Sequence, residues 1–378
     1  MASKRETLNS NQEQGASIQP KCKYCKKDVS NYLQFSPLFC PFCGAVVDDK
    51  NAGDRAKERN ILTGRAPWKQ KWSILIPIMS ILVMTGVTLL VLITVITVIV
   101  SNNPDLITSP EELETLIMDI LNQPYTTALL SVVEISLIIF PLVFLKKYYK
   151  SVKDRFLLLG WRPYFFHPRG NAPLDGLKKL GRELGIGFVL AFALLGVAIC
   201  VEFLNGLMWN SIIEIPDDMN LGISPNTLPE MIALVASMLL IVGPTEELLF
   251  RGYTQQGLED RQGAVKAIVI TALLFTAVHV MPSFIPTPLT LYLFLPYFTI
   301  SIFISYIYHL TGNLNIMIFM HGIYDSILVV GLFLEGKGAF VASDVISYGG
   351  LFAALGIMIF LVASHVYPSC ERKPAPLV

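Results

Sequence analysis

Glu246 and Glu247 stand side by side at the end of an apolar run, with Arg251 one helical turn beyond. A carboxylate at membrane depth is costly and is rarely present without a partner or a function. Two later apolar segments each carry a polar residue at helical spacing: Phe275 with His279, and His321 with Asp325. An acid pair and two histidines, on three separate segments, are the material of one buried polar site. A carboxylate and two imidazoles supply a base, a proton shuttle and hydrogen-bond donors. That is enough for hydrolysis, with Glu246 deprotonating water and a histidine stabilising the oxyanion. The same set can hold zinc as two histidines and a glutamate with an open fourth position. No HExxH occurs, so a soluble-type zinc protease has no local support.

Spacing assigns provisional roles. Neighbours on a helix differ by about 100°, so Glu246 and Glu247 cannot both face one cavity squarely. Glu247 and Arg251, four apart, pair along one face and leave Glu246 free for chemistry. A buried salt bridge alone would explain Glu247 and Arg251 but not a second carboxylate beside them. Pro244 loosens the helix just before the pair. The helix carrying the acids continues through Arg251 and Gln256, and its turn falls near 260–263. Counting back from that turn to Glu246 and forward to His279 gives nearly equal distances, so the two share a height. His321 enters the same layer from the same side, with Asp325 four residues on and able to hydrogen-bond its imidazole.

The elements that position these residues are membrane spans. The chain has 378 residues, no net charge, 53 % hydrophobic and only 15 % charged residues. Soluble chains carry about a quarter charged residues, so the balance excludes an ordinary soluble enzyme. Apolar stretches long enough to cross a bilayer lie at 72–100, 126–145, 184–204, 231 into the acid pair, 264–280, 291–310, 313–334 and 346–366. An all-α bundle of eight transmembrane helices is the expectation, with breaks at Pro282, Pro286 and Pro288. Lys57, Arg59, Arg65, Lys69 and Lys71 precede the first span and place the N-terminus inside. The connection at 101–125 has no Lys or Arg, whereas 146–182 is rich in both. The alternation puts both termini in the cytoplasm. Ser109-Pro110-Glu111-Glu112 predicts a capped surface helix in the first outer loop. Residues 156–166 mix aromatics with arginines, a headgroup-zone composition. No cleavable secretory signal is read, since the first hydrophobic run is too long and too late.

Ahead of the bundle, Cys22-Lys-Tyr-Cys25 and Cys40-Pro-Phe-Cys43 form two CxxC knuckles fourteen residues apart. Four thiolates so spaced suit a tetrahedral structural zinc, and Gly44 relieves the second knuckle turn. A disulfide pairing is disfavoured by the reducing compartment that the loop charges imply. Such a zinc has no open position, so it folds the module and catalyses nothing. The expected layout is a zinc ribbon at 20–46, a polar linker at 47–70, the bundle at 71–367 and a cytoplasmic tail at 368–378. The ribbon suits a protein partner; a nucleic-acid role is thinly supported. Cys200 reads as packing within a span, and Cys370 is given no role.

The three motifs Glu246-Glu247-xxx-Arg251, Phe275-xxx-His279 and His321-xxx-Asp325 resemble those of the CPBP family, the CAAX prenyl proteases and bacteriocin-processing (Abi) proteins. The resemblance covers 231–334. It implies an intramembrane endopeptidase in which Glu246 activates water with help from His279, while His321 and the residue at 325 support the oxyanion. Glu247 belongs to the same set, and Arg251 and Phe275 give structural support. A metal-free glutamate mechanism is favoured over a zinc one. Asp325 departs from the prenyl-protease branch, which carries Asn there. An ionised aspartate would repel an oxyanion, so it must be protonated, pair with His321, or act differently. The substrate class implied is a membrane-associated peptide or lipidated protein, cut near the cytoplasmic face of a bacterial plasma membrane. The alternatives are a non-catalytic immunity or sensor protein that binds a peptide, and a small proton-coupled transporter, disfavoured by the lack of inverted repeats. Glu134 is expected to make an interhelical hydrogen bond, Glu202 to be interfacial, and His309 and His365 to lie at the surface. Ser131, Thr276 and Ser305 read as packing residues.

Overall fold

A computed structural model describes residues 66–102, 109–121, 123–161, 173–209, 224–280 and 288–366. The cysteines expected to bind zinc (Cys22, Cys25, Cys40 and Cys43) and Cys370 lie outside the described residues. Among those described, all regular structure is helical: α1 Gln70–Asn102, α2 Pro110–Leu121, α3 Pro124–Leu145 and α4 Val152–Leu158 come first. They are followed by α5 Pro173–Trp209, α6 Leu228–Gln262, α7 Ala264–Val280, α8 Pro288–Thr311, α9 Leu314–Gly336 and α10 Phe340–Val366. Seven of these are long and apolar enough to cross a membrane. The eighth expected span is α7, an apolar helix of only 17 residues, at the short end of what crosses a bilayer.

The helix ends follow local chemistry. Ser109 and Glu112 close a reciprocal cap on α2, and Thr227 with Glu230 does the same for α6, so two otherwise orphaned N–H groups are satisfied at each start. α6 turns into α7 at Gly263 (φ +82°), and α8 turns into α9 at Gly312 (φ +58°), left-handed positions that a side chain resists. The Asn313 side chain then accepts from the Asn315 and Ile316 amides and caps α9. These two tight turns make α6–α7 and α8–α9 antiparallel hairpins.

α5 packs against α8, α9 and α10, while α6 is held by α3, α7 and α9. Apolar side chains such as Leu240, Val265, Val341 and Phe352 point outward and are more than seven-tenths exposed. Polar side chains, among them Arg251, Gln255, Thr271 and Ser305, are fully buried. That inside-out arrangement suits lipid, where backbone and side-chain polar groups must find partners within the bundle. The protein is an all-α polytopic membrane protein. One sequence expectation fails at the surface: Cys200 is exposed on α5 and does not pack inside.

Candidate active site

α6 is not a uniform α-helix. Two stretches, Met238–Val242 and Leu248–Gln255, are π-helical, and the acid pair sits on the five-residue α segment Gly243–Glu247 between them. Pro244 supplies no N–H, so the ladder must loosen ahead of the acids. The Thr245 hydroxyl then caps the Ile241 carbonyl at 2.7 Å and the Val242 carbonyl at 3.2 Å. Wide turns of this kind occur frequently at functional sites.

Glu247 has no solvent exposure and is held from two sides by one oxygen. Its Oε1 accepts from Arg251 Nη1 and lies 2.7 Å from both that nitrogen and His321 Nδ1. Arg251 is equally buried. Its Nη2 donates to Ser301 Oγ of α8 at 3.1 Å, and its guanidinium lies over the Phe275 ring at 5.0 Å. Thus α6, α7, α8 and α9 are stitched together by one ion pair.

Glu246 makes no hydrogen bond with the protein through Oε2, which is buried and unpartnered. Its two oxygens face the histidines: Oε1 is 3.7 Å from His279 Nε2, and Oε2 is 3.8 Å from His321 Nε2. His279 Nδ1 lies 2.9 Å from the Phe275 carbonyl. A carbonyl only accepts, so Nδ1 carries a proton and Nε2 is the nitrogen turned toward Glu246. The His279 ring is stacked on Phe275 at 4.3 Å and borders Tyr297 at 4.7 Å. Asp325 Oδ2 is 3.4 Å from His321 Nε2. His279 and Asp325 are the most open members, at 23 % and 19 % side-chain exposure, so the site opens on their side.

The structure therefore brings Glu246, Glu247, Arg251, Phe275, His279, His321 and Asp325 together. It also adds residues that sequence reasoning did not place there. Ser301 receives Arg251, and Tyr297 walls His279; neither carries a sequence signal. Glu134 does carry one, as a carboxylate inside a span. The sequence predicts an interhelical hydrogen bond for it, and its Oε2 is buried without a partner. It stands where α3 breaks, between Val133 and Ser136, within electrostatic range of Glu246, Asp325 and His321. Leu137, one turn on, packs with Leu249, Phe250 and Phe275. His309 is at the surface as expected, paired with Glu259. Among the described residues, no three His, Cys, Asp or Glu side chains are placed to share a metal ion.

Residues 228–327 match a family model described as type II CAAX prenyl endopeptidase Rce1-like. The matched segment contains Glu246, Glu247, Arg251, Phe275, His279, His321 and Asp325 but not Glu134, and it supports the CPBP family and a CAAX-protease-like peptidase. No curated protein and no solved structure matches the chain.

Proposed function

We propose that the protein is an intramembrane endopeptidase that hydrolyses a peptide bond with Glu246 as the water-activating base and no catalytic metal. The observation that carries this reading is Glu246 Oε1 standing 3.7 Å from His279 Nε2, a spacing that one water can bridge if that nitrogen is unprotonated. A water at ~2.8 Å from each would donate one hydrogen to each acceptor. Its oxygen lone pairs are then left facing outward for attack.

In the reaction, Glu246 takes a proton from that water while the oxygen bonds to the scissile carbonyl carbon. The proton passes from Glu246 to the leaving nitrogen as the C–N bond breaks, giving a carboxylic acid and an amine, and the acid then loses its remaining proton to solvent. His321 acts doubly protonated, with Nδ1–H held by Glu247 and Nε2–H offered to the developing oxyanion. Asp325 Oδ2 lies 3.4 Å from the same Nε2, so it receives no second proton from the ring; its charge favours the doubly protonated imidazole, and it does not contact the oxyanion. Glu247 and Arg251 are positioning residues that never meet substrate. The substrate is a membrane-associated peptide or lipidated protein that reaches the site past His279 and Asp325, on the cytoplasmic side of a bacterial plasma membrane.

Glu246→Gln is the test. The change is nearly isosteric and removes only the base, so cleavage of membrane peptides should fall by ~10²–10⁴-fold with the melting temperature unchanged. A variant that still complements a deletion strain in full would instead favour a peptide-binding immunity or sensor protein.

A further inference from the structure

Beyond the acid pair, four buried polar atoms without protein partners, on Arg251, Gln255, Thr271 and Ser305, lie along one seam. α6 and α8 run parallel, and their polar contacts recur at a constant offset of 50 residues. Arg251 donates to Ser301, Gln255 Nε2 donates to the Ser305 carbonyl at 2.8 Å, and Glu259 meets His309 at the exposed end. α7 folds back along α6 about Gly263, and equal steps from that glycine set Phe275 level with Arg251 and Thr271 level with Gln255. The first of these pairings is seen directly in the guanidinium over the Phe275 ring. α7 packs chiefly on α6 and α8, so a fully buried Thr271 must face that seam.

At the middle rung, Gln255, Thr271 and Ser305 are each 0 % exposed, and each keeps a polar atom unpaired: Oε1, Oγ1 and Oγ. One turn further on, Arg251 Nε is unpaired too, followed by Glu247 Oε2 and Glu246 Oε2. Packing helices with apolar side chains would need none of these groups. Native proteins nearly always satisfy buried polar atoms, and internal water does so where the protein does not.

We propose that the α6–α7–α8 seam is a water-binding track that hydrates the acid site from its Glu259–His309 end. Gln255 Oε1 accepts from the first water, the Thr271 and Ser305 hydroxyls both donate and accept, and Arg251 Nε donates to the next. A water at this rung has the two to four polar partners it requires. The track is a property of the folded protein; its role as the supply of hydrolytic water rests on the peptidase reading above.

The sign of one stability change separates a wet seam from a dry one. Thr271→Val removes the hydroxyl at nearly constant volume. In a dry seam it deletes an unpaired buried group, and the protein becomes more stable. In a hydrated seam it takes a partner from bound water, and the melting temperature of the detergent-solubilised full chain falls by ~1–3 °C. The fall is expected; a rise or no change overturns the track. An experimental density map that resolves water elsewhere in the bundle should show ordered water within ~3.2 Å of Gln255 Oε1, and a dry rung there overturns it independently. If wild type cuts peptides, Ser305→Ala combined with Thr271→Val should lower kcat several-fold with KM unchanged. Full kcat in that double variant removes the supply role. A wild-type chain that cuts nothing sinks the peptidase reading and leaves both hydration tests to decide the track.

Discussion

A single oxygen, Glu247 Oε1, sets the geometry of the site by fixing both Arg251 and His321. The guanidinium fork then spends its two ends on different helices, which a lysine ammonium cannot reproduce with one planar group. Arg251→Ala leaves the buried Glu247 carboxylate with His321 as its remaining partner and should cost up to about 3–5 kcal/mol, read as a drop in melting temperature together with lost activity. Glu246→Gln should lose activity alone, because Glu246 braces nothing. A stable, active Arg251→Ala protein would remove the ion pair from its structural role. The i,i+4 pairing of Glu247 with Arg251 is legible in the sequence, since helical periodicity brings those positions together. The contact from Glu247 to His321 spans 74 residues, and no local period encodes it. Glu134 shows the limit most plainly. The sequence reads it as an ordinary interhelical hydrogen-bonding residue, and only the fold brings it within electrostatic range of Glu246, Asp325 and His321.

At the level of the helices, close backbone contact decides whether His321 reaches the acids. Gly322, its neighbour on α9, lies against α6, where an added Cβ would stand 3.0 Å from the Met238 carbonyl and 3.1 Å from Leu239 Cα. Both obstacles are backbone and cannot swing aside. A Cβ added to Gly243, just ahead of the acids, would in turn stand 3.0 Å from the Gly322 nitrogen. Small residues at such a crossing let helices in lipid approach closely. Gly322→Ala should therefore spread α6 from α9 and pull His321 Nδ1 off Glu247. We expect a loss of more than about tenfold in kcat, the scale of a displaced catalytic group. Gly356→Ala on α10 is the control, because its Cβ meets nothing within 4 Å; it should be neutral or stabilise by up to ~1 kcal/mol. Equal activity in the two variants would mean the crossing has slack. The ends of these helices were readable, because caps and glycines announce themselves: Ser109 with Glu112, Gly263, and the turn before Leu314. The π-helical turns were not. Pro244 warned of a loosened ladder, but hydrophobic period alone does not show where a helix widens. The shortness of α7 likewise leaves His279 at the helix end, where it is partly open.

For the whole molecule, the open question is whether metal belongs to the bundle or only to the cysteines ahead of it. The bundle belongs to a compact unit that starts at Gly64. That unit begins with a firm anchor. Trp68 is fully buried and stacks on Tyr253 at 4.5 Å, and its carbonyl accepts from Arg261 at 2.9 Å. The Ala66 amide donates to Asp260 at 3.0 Å. Tyr253 and Asp260 lie on α6 beyond the acids, so this anchor braces the end of the helix that carries them. A truncation must spare it, and removal of residues 1–60 does. That protein should fold, contain no stoichiometric zinc, and keep peptidase activity in the presence of chelator. The full chain should carry one zinc per molecule, held by Cys22, Cys25, Cys40 and Cys43 with no open coordination position. Elemental analysis and a cleavage assay on the two proteins decide the matter together. One zinc per truncated chain, removed by chelator with loss of cleavage, would instead assign the metal to Glu246, His279 and His321. Their side chains would then have to close from N–O separations of 3.7 and 3.8 Å around bonds of ~2.0–2.2 Å.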